Sequence, residues 1–219
     1  GRTADRERVA KDIAASATAW KTGPDVVDVR RHLAWLAALA KAEPTTLVDA
    51  YSVAESFIEH DSHLVRIAAL DLLTSISSIE GLELEETLAA SWAQSGALAM
   101  QTDDTPEGRA AAARLLERIG GPGTASVLST ALGEGSFAVR GPSEAALLAI
   151  AGRTDGVAVA RGIFPLARST SLPVRVAALR LLGATKHRDA KEVLEAALED
   201  ADPLVSRAAR IGMDRYEAD

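Results

Sequence analysis

The sequence predicts an all-α protein built as a stack of about six helix pairs, about twelve helices in all. Three observations lead there: a helical segment repeated at intervals of 31 to 43 residues, small and large aliphatic residues at helical spacing in the copies, and turn residues between them. The clearest copy, Ser171–Gly183 (SLPVRVAALRLLG), has a hydrogen-bond acceptor, then Val-Arg three positions on, then an aliphatic stripe. Related segments begin at Ser62, Thr105, Ser136 and Asp202, and a looser one at Val26. Aligned on the valine, the anchors are Val29, Val65, Gly108, Val139, Val174 and Val205, spaced by 36, 43, 31, 35 and 31 residues. Such an interval holds two helices and two turns.

Two further columns run in register with the anchors. Three positions before them, five of six copies carry a side chain able to accept a hydrogen bond from first-turn amides: Ser62, Thr105, Ser136, Ser171 and Asp202. One position after them stand Arg30, Arg66, Arg109, Arg140 and Arg175, with Ser206 followed by Arg207 in the last copy. The intervening segments Asp5–Trp20, Thr46–His60, Leu82–Met100, Thr124–Gly133, Asp155–Arg168 and Asp189–Asp200 are amphipathic at helical spacing and supply the other helix of each pair. Gly23-Pro24, Glu43-Pro44, Gly81, Gly120 to Gly123, Gly152 and Gly183 read as breaks between helices, and Gln101 to Asp104 as an exposed loop. Pro142 is tolerable if its helix begins near Ala138, and Pro165 should kink the helix that contains it. No alternating pattern of useful length occurs, so no sheet is expected.

One helix pair cannot cover its own apolar face, whereas stacked neighbours bury it jointly. Ala68, Ala69, Ala111, Ala112, Ala177, Ala178, Ala208 and Ala209 recur at matching places, where they permit close crossings. Six layers at about 10 Å each give a rod of roughly 60 Å. Charged residues in the first helix (Asp5, Arg6, Glu7, Arg8, Lys11, Asp12) and in the tail (Asp214, Arg215, Glu217, Asp219) read as solvated ends.

Composition agrees. Of 219 residues, 47% are hydrophobic but only 4% aromatic, so the core is aliphatic; the net charge is −7. With no cysteine there is neither a disulfide framework nor a thiolate metal site, which fits a reducing compartment such as the cytoplasm. No apolar run approaches the ~20 residues of a membrane span. The chain starts at Gly1 rather than Met and reads as one domain, 1–219, excised from something longer. Nineteen Arg against five Lys, with abundant Ala, fits a GC-rich bacterial genome.

Asp202-Pro203-Leu204-Val205 and Val174-Arg175-Val176-Ala177-Ala178-Leu179 resemble HEAT-like repeats, the kind also found in bilin lyases. The resemblance covers roughly Thr46 to Arg215. It implies a right-handed α-solenoid whose second helices line a concave side, and a ladder of loop acids and helix arginines between repeats. Partner binding is implied more than catalysis. Gly108 in place of the valine and Ser206 in place of the arginine interrupt the pattern.

The anchored helices hold 13 basic and 7 acidic residues, a net +6, and the remainder carries −13. If those helices face inward, a positive face lies in an acidic body and attracts anionic partners. The arginine column Arg66, Arg109, Arg140 and Arg175 has two readings, contact with a partner or capping of loops and pairing with acids of adjacent repeats. Arg114, Arg180 and Arg210 lie off that column and are candidates for partner contact.

Other motifs carry less. His60-Asp61-x-His63 offers two imidazoles and a carboxylate to a metal but straddles a turn, which favours surface or cap duty. Glu83, Glu85 and Glu86 read as a solvated face, and Gly133 to Val139 imitates a kinase phosphate loop without its partner motifs. Trp20, Trp35, Trp92, Phe57, Phe137 and Phe164 stand at apolar positions and are expected in the core, with Trp20 able to be exposed. No catalytic residue, metal or cofactor is expected. The reading is a scaffold that binds an acidic protein or peptide on its arginine-bearing face. Its rivals are a nucleic-acid binder, disfavoured by net acidity and few stacking aromatics, and a lyase-like protein holding a small molecule in a deep cavity.

Overall fold

The computed structural model describes residues 4–6, 8, 9, 11, 12, 15, 25–82, 84–134 and 136–218. Helical backbone occurs at 4–6, 8, 9, 11, 12 and 15, and eleven complete α-helices follow. They are α1 Val26–Ala42, α2 Leu47–Phe57, α3 His63–Ser77, α4 Glu86–Thr102, α5 Pro106–Ile119 and α6 Ala125–Gly133. Then come α7 Phe137–Arg153, α8 Val157–Ile163, α9 Leu172–Ala184, α10 Ala190–Leu198 and α11 Pro203–Glu217. No strand occurs among the described residues. Trp20, Glu83 and the extent of the Asp5–Trp20 helix lie outside the described residues.

The anchored segments form α1, α3, α5, α7, α9 and α11, the second helix of each pair. Asp25 caps α1 by accepting from the Val27 amide at 3.0 Å, and Asp202 caps α11 by accepting from Leu204 at 2.8 Å. Thr105 Oγ1 accepts from the Gly108 amide at 3.0 Å. Ser62, Ser136 and Ser171 also stand at helix starts, but their side chains accept no capping bond. Pro165 does more than kink its segment: α8 ends at Ile163 and a 3-10 turn, Leu166–Arg168, follows. Pro142 lies in the second turn of α7, beyond the amides that need no partner, so the Ala138 carbonyl goes without the bond a non-proline residue would give it.

The chain divides into two compact units, Gly1–Leu115 and Leu116–Asp219, the division falling within α5. In the first, α1 packs against α3, and α2 lies across both. Leu33, Leu36, Phe57, Leu70, Leu72, Leu73, Ile76 and Leu115 are completely or almost completely buried, and Trp92 stacks on Tyr51 with centroids 5.3 Å apart. Each such side chain contributes about 1.5–3 kcal/mol by leaving water. Phe57 and Trp92 are thus core residues as expected, and Phe164 is half-buried. Trp35 is not: it is 55% exposed, its edge against His32, and Phe137 is 88% exposed at the first position of α7.

In the second unit α9 packs against α7 and α11, with α6, α8 and α10 covering them from the other side. The alanine positions work as expected, Ala177, Ala178, Ala208 and Ala209 being buried. Gly183 and Gly152 are not breaks but lie inside α9 and α7. Gly183 meets Gly212 of α11 so closely that a Cβ on Gly183 would lie 1.9 Å from the Gly212 carbonyl oxygen. A Cβ on Gly212 would lie 2.5 Å from the Leu179 oxygen. Backbone against backbone sets the spacing of these two helices.

Gly183→Ala is expected to destabilise the fold by about 1–3 kcal/mol, since two backbones must separate. Gly152→Ala, whose Cβ would meet nothing within 4 Å, is expected instead to stabilise it, by up to about 1 kcal/mol. Thermal unfolding followed by circular dichroism distinguishes the two.

Candidate functional site

The arginines fall into two sets with different geometry. In the column one place after the anchors, the guanidinium groups of Arg66, Arg109 and Arg175 fold back over the start of their own helices. Arg66 Nη1 donates to the His60 carbonyl at 3.0 Å, Arg109 Nη1 to the Asp103 carbonyl at 2.9 Å, and Arg175 Nη1 to the Ser169 carbonyl at 3.3 Å. The acceptor is always six residues upstream, five before the anchor. That same residue uses its side chain as well: His60 Nδ1, Asp103 Oδ1, Ser169 Oγ and Asp200 Oδ1 accept the amides of Ser62, Thr105, Ser171 and Asp202. The loop between paired helices is therefore held from both sides, which takes over the work expected of the serines. Capping duty is what His60 performs. Arg140 is half-buried on the same column.

Arg66 goes further, into a charged cluster. Its Nε and Nη2 reach both oxygens of Asp103 at 2.8 and 3.1 Å, and Nη2 reaches Asp104 at 2.6 Å. Of the expected exposed loop, Gln101, Thr102 and Asp104 are exposed, the first two as the last residues of α4, while the Asp103 side chain is only 2% exposed and buried in the ion pair. Burial pushes the Asp103 carboxyl up, but the hydrogen bonds from Arg66 and Thr105 and the Arg66 charge outweigh it and hold it below the ordinary range. The Asp103 bond raises Arg66 above its ordinary value despite burial. Gly108 explains itself here: a Cβ at that position would lie 2.2 to 2.4 Å from the Asp103 carboxylate. The interrupted anchor and the ion pair are one feature.

Two of the off-column arginines, Arg114 and Arg180, link neighbouring second helices. Arg114 of α5 meets Asp71 of α3 at 3.5 Å, both about half exposed, an arrangement worth about 0–1 kcal/mol. Arg180 Nη2 of α9 donates to both oxygens of Glu144 on α7 at 2.6 and 2.7 Å, and Arg215 of α11 donates to the Arg180 carbonyl at 3.1 Å. Arg153 caps the end of α5 through the Glu117 and Gly120 carbonyls at 2.8 and 3.0 Å. Arg210 is exposed and forms no hydrogen bond or ion pair with a described residue. Asp71 and Glu144 were not singled out by the sequence, although their place beside arginines one repeat away was a readable signal.

Among the described residues no three His, Asp or Glu side chains converge as a metal site, and no helix is long and apolar enough to cross a membrane. The second unit carries an open groove of about 980 Å³ between the first helices α8 and α10. The first unit has a smaller hollow of about 490 Å³ at the corresponding place beside Arg66 and Asp103.

Within each unit, second helices tied side by side through such pairs, with first helices packed against them, form an all-helical repeat fold similar to that of HEAT and armadillo repeat proteins. Solved structures agree on the fold. An engineered protein matches with TM-score 0.62 at 21% identity over 94% of this chain and 96% of its own. A designed armadillo repeat protein in complex with the peptide (KR)4 matches with TM-score 0.60 at 15% identity over 94% and 98%. The archaeal HEAT-like repeats protein from Thermococcus onnurineus NA1 matches with TM-score 0.59 at 15% identity over 89% and 81%. No protein-family model and no curated protein sequence matches the chain.

Because its pKa is depressed in the fold, Asp103 stabilises above its unfolded value, and that contribution is lost as pH falls through the depressed one. Stability should therefore decline below about pH 4, with a shallower decline in Asp103→Asn. At neutral pH this substitution should cost about 3 kcal/mol. Gly108→Ala, which displaces the carboxylate from Arg66, should reproduce the loss; urea titrations across pH measure both.

Proposed function

We propose that this chain is a non-catalytic binding scaffold whose partner is an acidic protein or peptide bound by arginines of the second helices. The observation that carries the reading is the state of the off-column arginines: Arg210 is exposed without an ion pair, and Arg114 keeps only a long, half-exposed contact to Asp71. A partner carboxylate can meet Arg210 directly and can replace Asp71 at Arg114 at small cost. Arg180, tied at 2.6 Å to Glu144, serves to hold α9 against α7. A surface ordered before the partner arrives loses little freedom on binding. The complex of the designed armadillo protein with (KR)4 supports the reading in one respect, that a surface of this fold can hold a peptide. The open form of the groove between α8 and α10 also favours binding over chemistry in a closed pocket.

The test uses a fluorescein-labelled Glu-rich peptide, its uncharged Gln counterpart and a Lys-rich one, in anisotropy titrations at two salt concentrations. The Glu peptide should bind at least about tenfold tighter than either, and more weakly at high salt. Arg114→Glu with Arg210→Glu should remove that preference with little change in melting temperature, while Arg180→Glu, which sets a carboxylate against Glu144, should lower it. Equal binding of the three peptides would end the proposal.

A further inference from the structure

We infer that the groove of the second unit docks an amphipathic peptide helix carrying acidic side chains along one edge of its apolar stripe and basic side chains along the other. This site lies between the first helices, over a floor supplied in part by α9 and α11, and does not use Arg114 or Arg210.

The charges are sorted by wall. One side is α8 and the turn after it, with Arg161 and Arg168; the other is α10 with its flanks, bearing Asp189, Glu192 and Asp200. All five are exposed. Between the walls lie Phe164, Leu179, Val193 and Val205, with Phe164 held edge-on by His187 at 5.3 Å. Arg175 enters at the start of α9. No ion pair crosses the groove among these residues. Asp189 pairs with Arg188 at 3.2 Å and lies 3.9 Å from His187, while Asp200 accepts the Asp202 amide at 2.8 Å. The side chains of Arg161, Arg168 and Glu192 make no hydrogen bond or ion pair with a described residue.

The first unit shows the closed form of the same arrangement. Asp103 and Asp200 stand five residues before their anchors, and each accepts the amide two residues on. There Arg66 closes on Asp103 through Nε at 2.8 Å. Here Arg175 Nε is buried without a partner, Asp200 does not reach it, and the hollow is about 980 rather than about 490 Å³. Opposite charges that stay apart across an apolar floor set up a field across the groove. A ligand with one sign of charge gains at one wall and loses at the other, whereas a segment with both signs on opposite edges gains at both. Its apolar stripe covers Phe164, Val193 and their neighbours, the helix-in-groove mode of recognition. The nine residues of α10 make a wall about 13 Å long, which matches two to three turns of peptide.

Three labelled peptides of about fifteen residues, sharing one leucine stripe, test this by anisotropy with the whole chain: Glu on one edge and Lys on the other, Glu on both, and Lys on both. The mixed peptide should bind at least about tenfold tighter than either of the others. Arg161→Glu with Arg168→Glu should turn the preference to the Lys peptide, and Glu192→Lys with Asp189→Lys should turn it to the Glu peptide. These residues are exposed, so circular dichroism should show both variants folded. Equal affinities for the three peptides, or no change of preference in either variant, would overturn the inference.

Discussion

Everything in each unit depends on how a second helix begins. Its amides and the carbonyls of the preceding turn would be left without partners if the loop between paired helices were free to move. The arginine after the anchor closes that loop from the helix side, and the residue five before the anchor closes it from the other. Both bonds are local, within six residues, and the copies that begin with Arg66, Arg109 and Arg175 each make both. The anchor valine can then enter the core at a set depth, as Val65, Val139, Val174 and Val205 do, all at most 1% exposed. Copies can stack because each arrives with the same geometry at its start.

From that common base the layers specialise. Pairs at Arg114 with Asp71 and at Arg180 with Glu144 fasten second helices to one another, the first loosely and the second firmly. Two glycines draw α9 and α11 into backbone contact. Arg66 closes on an acid from the next copy, and Arg175 does not. Binding surfaces in such a chain come from what the repeat leaves open, because the closed positions are already occupied by the protein's own groups.

The helices were legible because their signal is periodic: every anchored segment became a helix that begins within a residue of its expected start. The arginine column was legible as a column, with loop capping as one of its two readings, and the structure of Arg66, Arg109 and Arg175 follows that one. What could not be read was anything set by contacts between copies. Gly183 looks like a turn residue because glycine disfavours helices, and only the approach of Gly212 reveals it as a packing residue. Asp103, in a run of polar residues, has nothing in its neighbourhood to say that an arginine 37 residues earlier will bury it. Trp35 and Phe137 stand at apolar places, yet their faces of the helix point to water. The limit is physical, since spacing reports which side of a helix a residue occupies but not what lies opposite.

The seat of Asp103 also couples two positions. A side chain larger than glycine at 108 would occupy the place of the carboxylate, which must then turn away from Arg66, whereas glycine leaves that place open. The two residues therefore behave as one unit: a change at either one alters what the other can do, and their effects on stability are not additive.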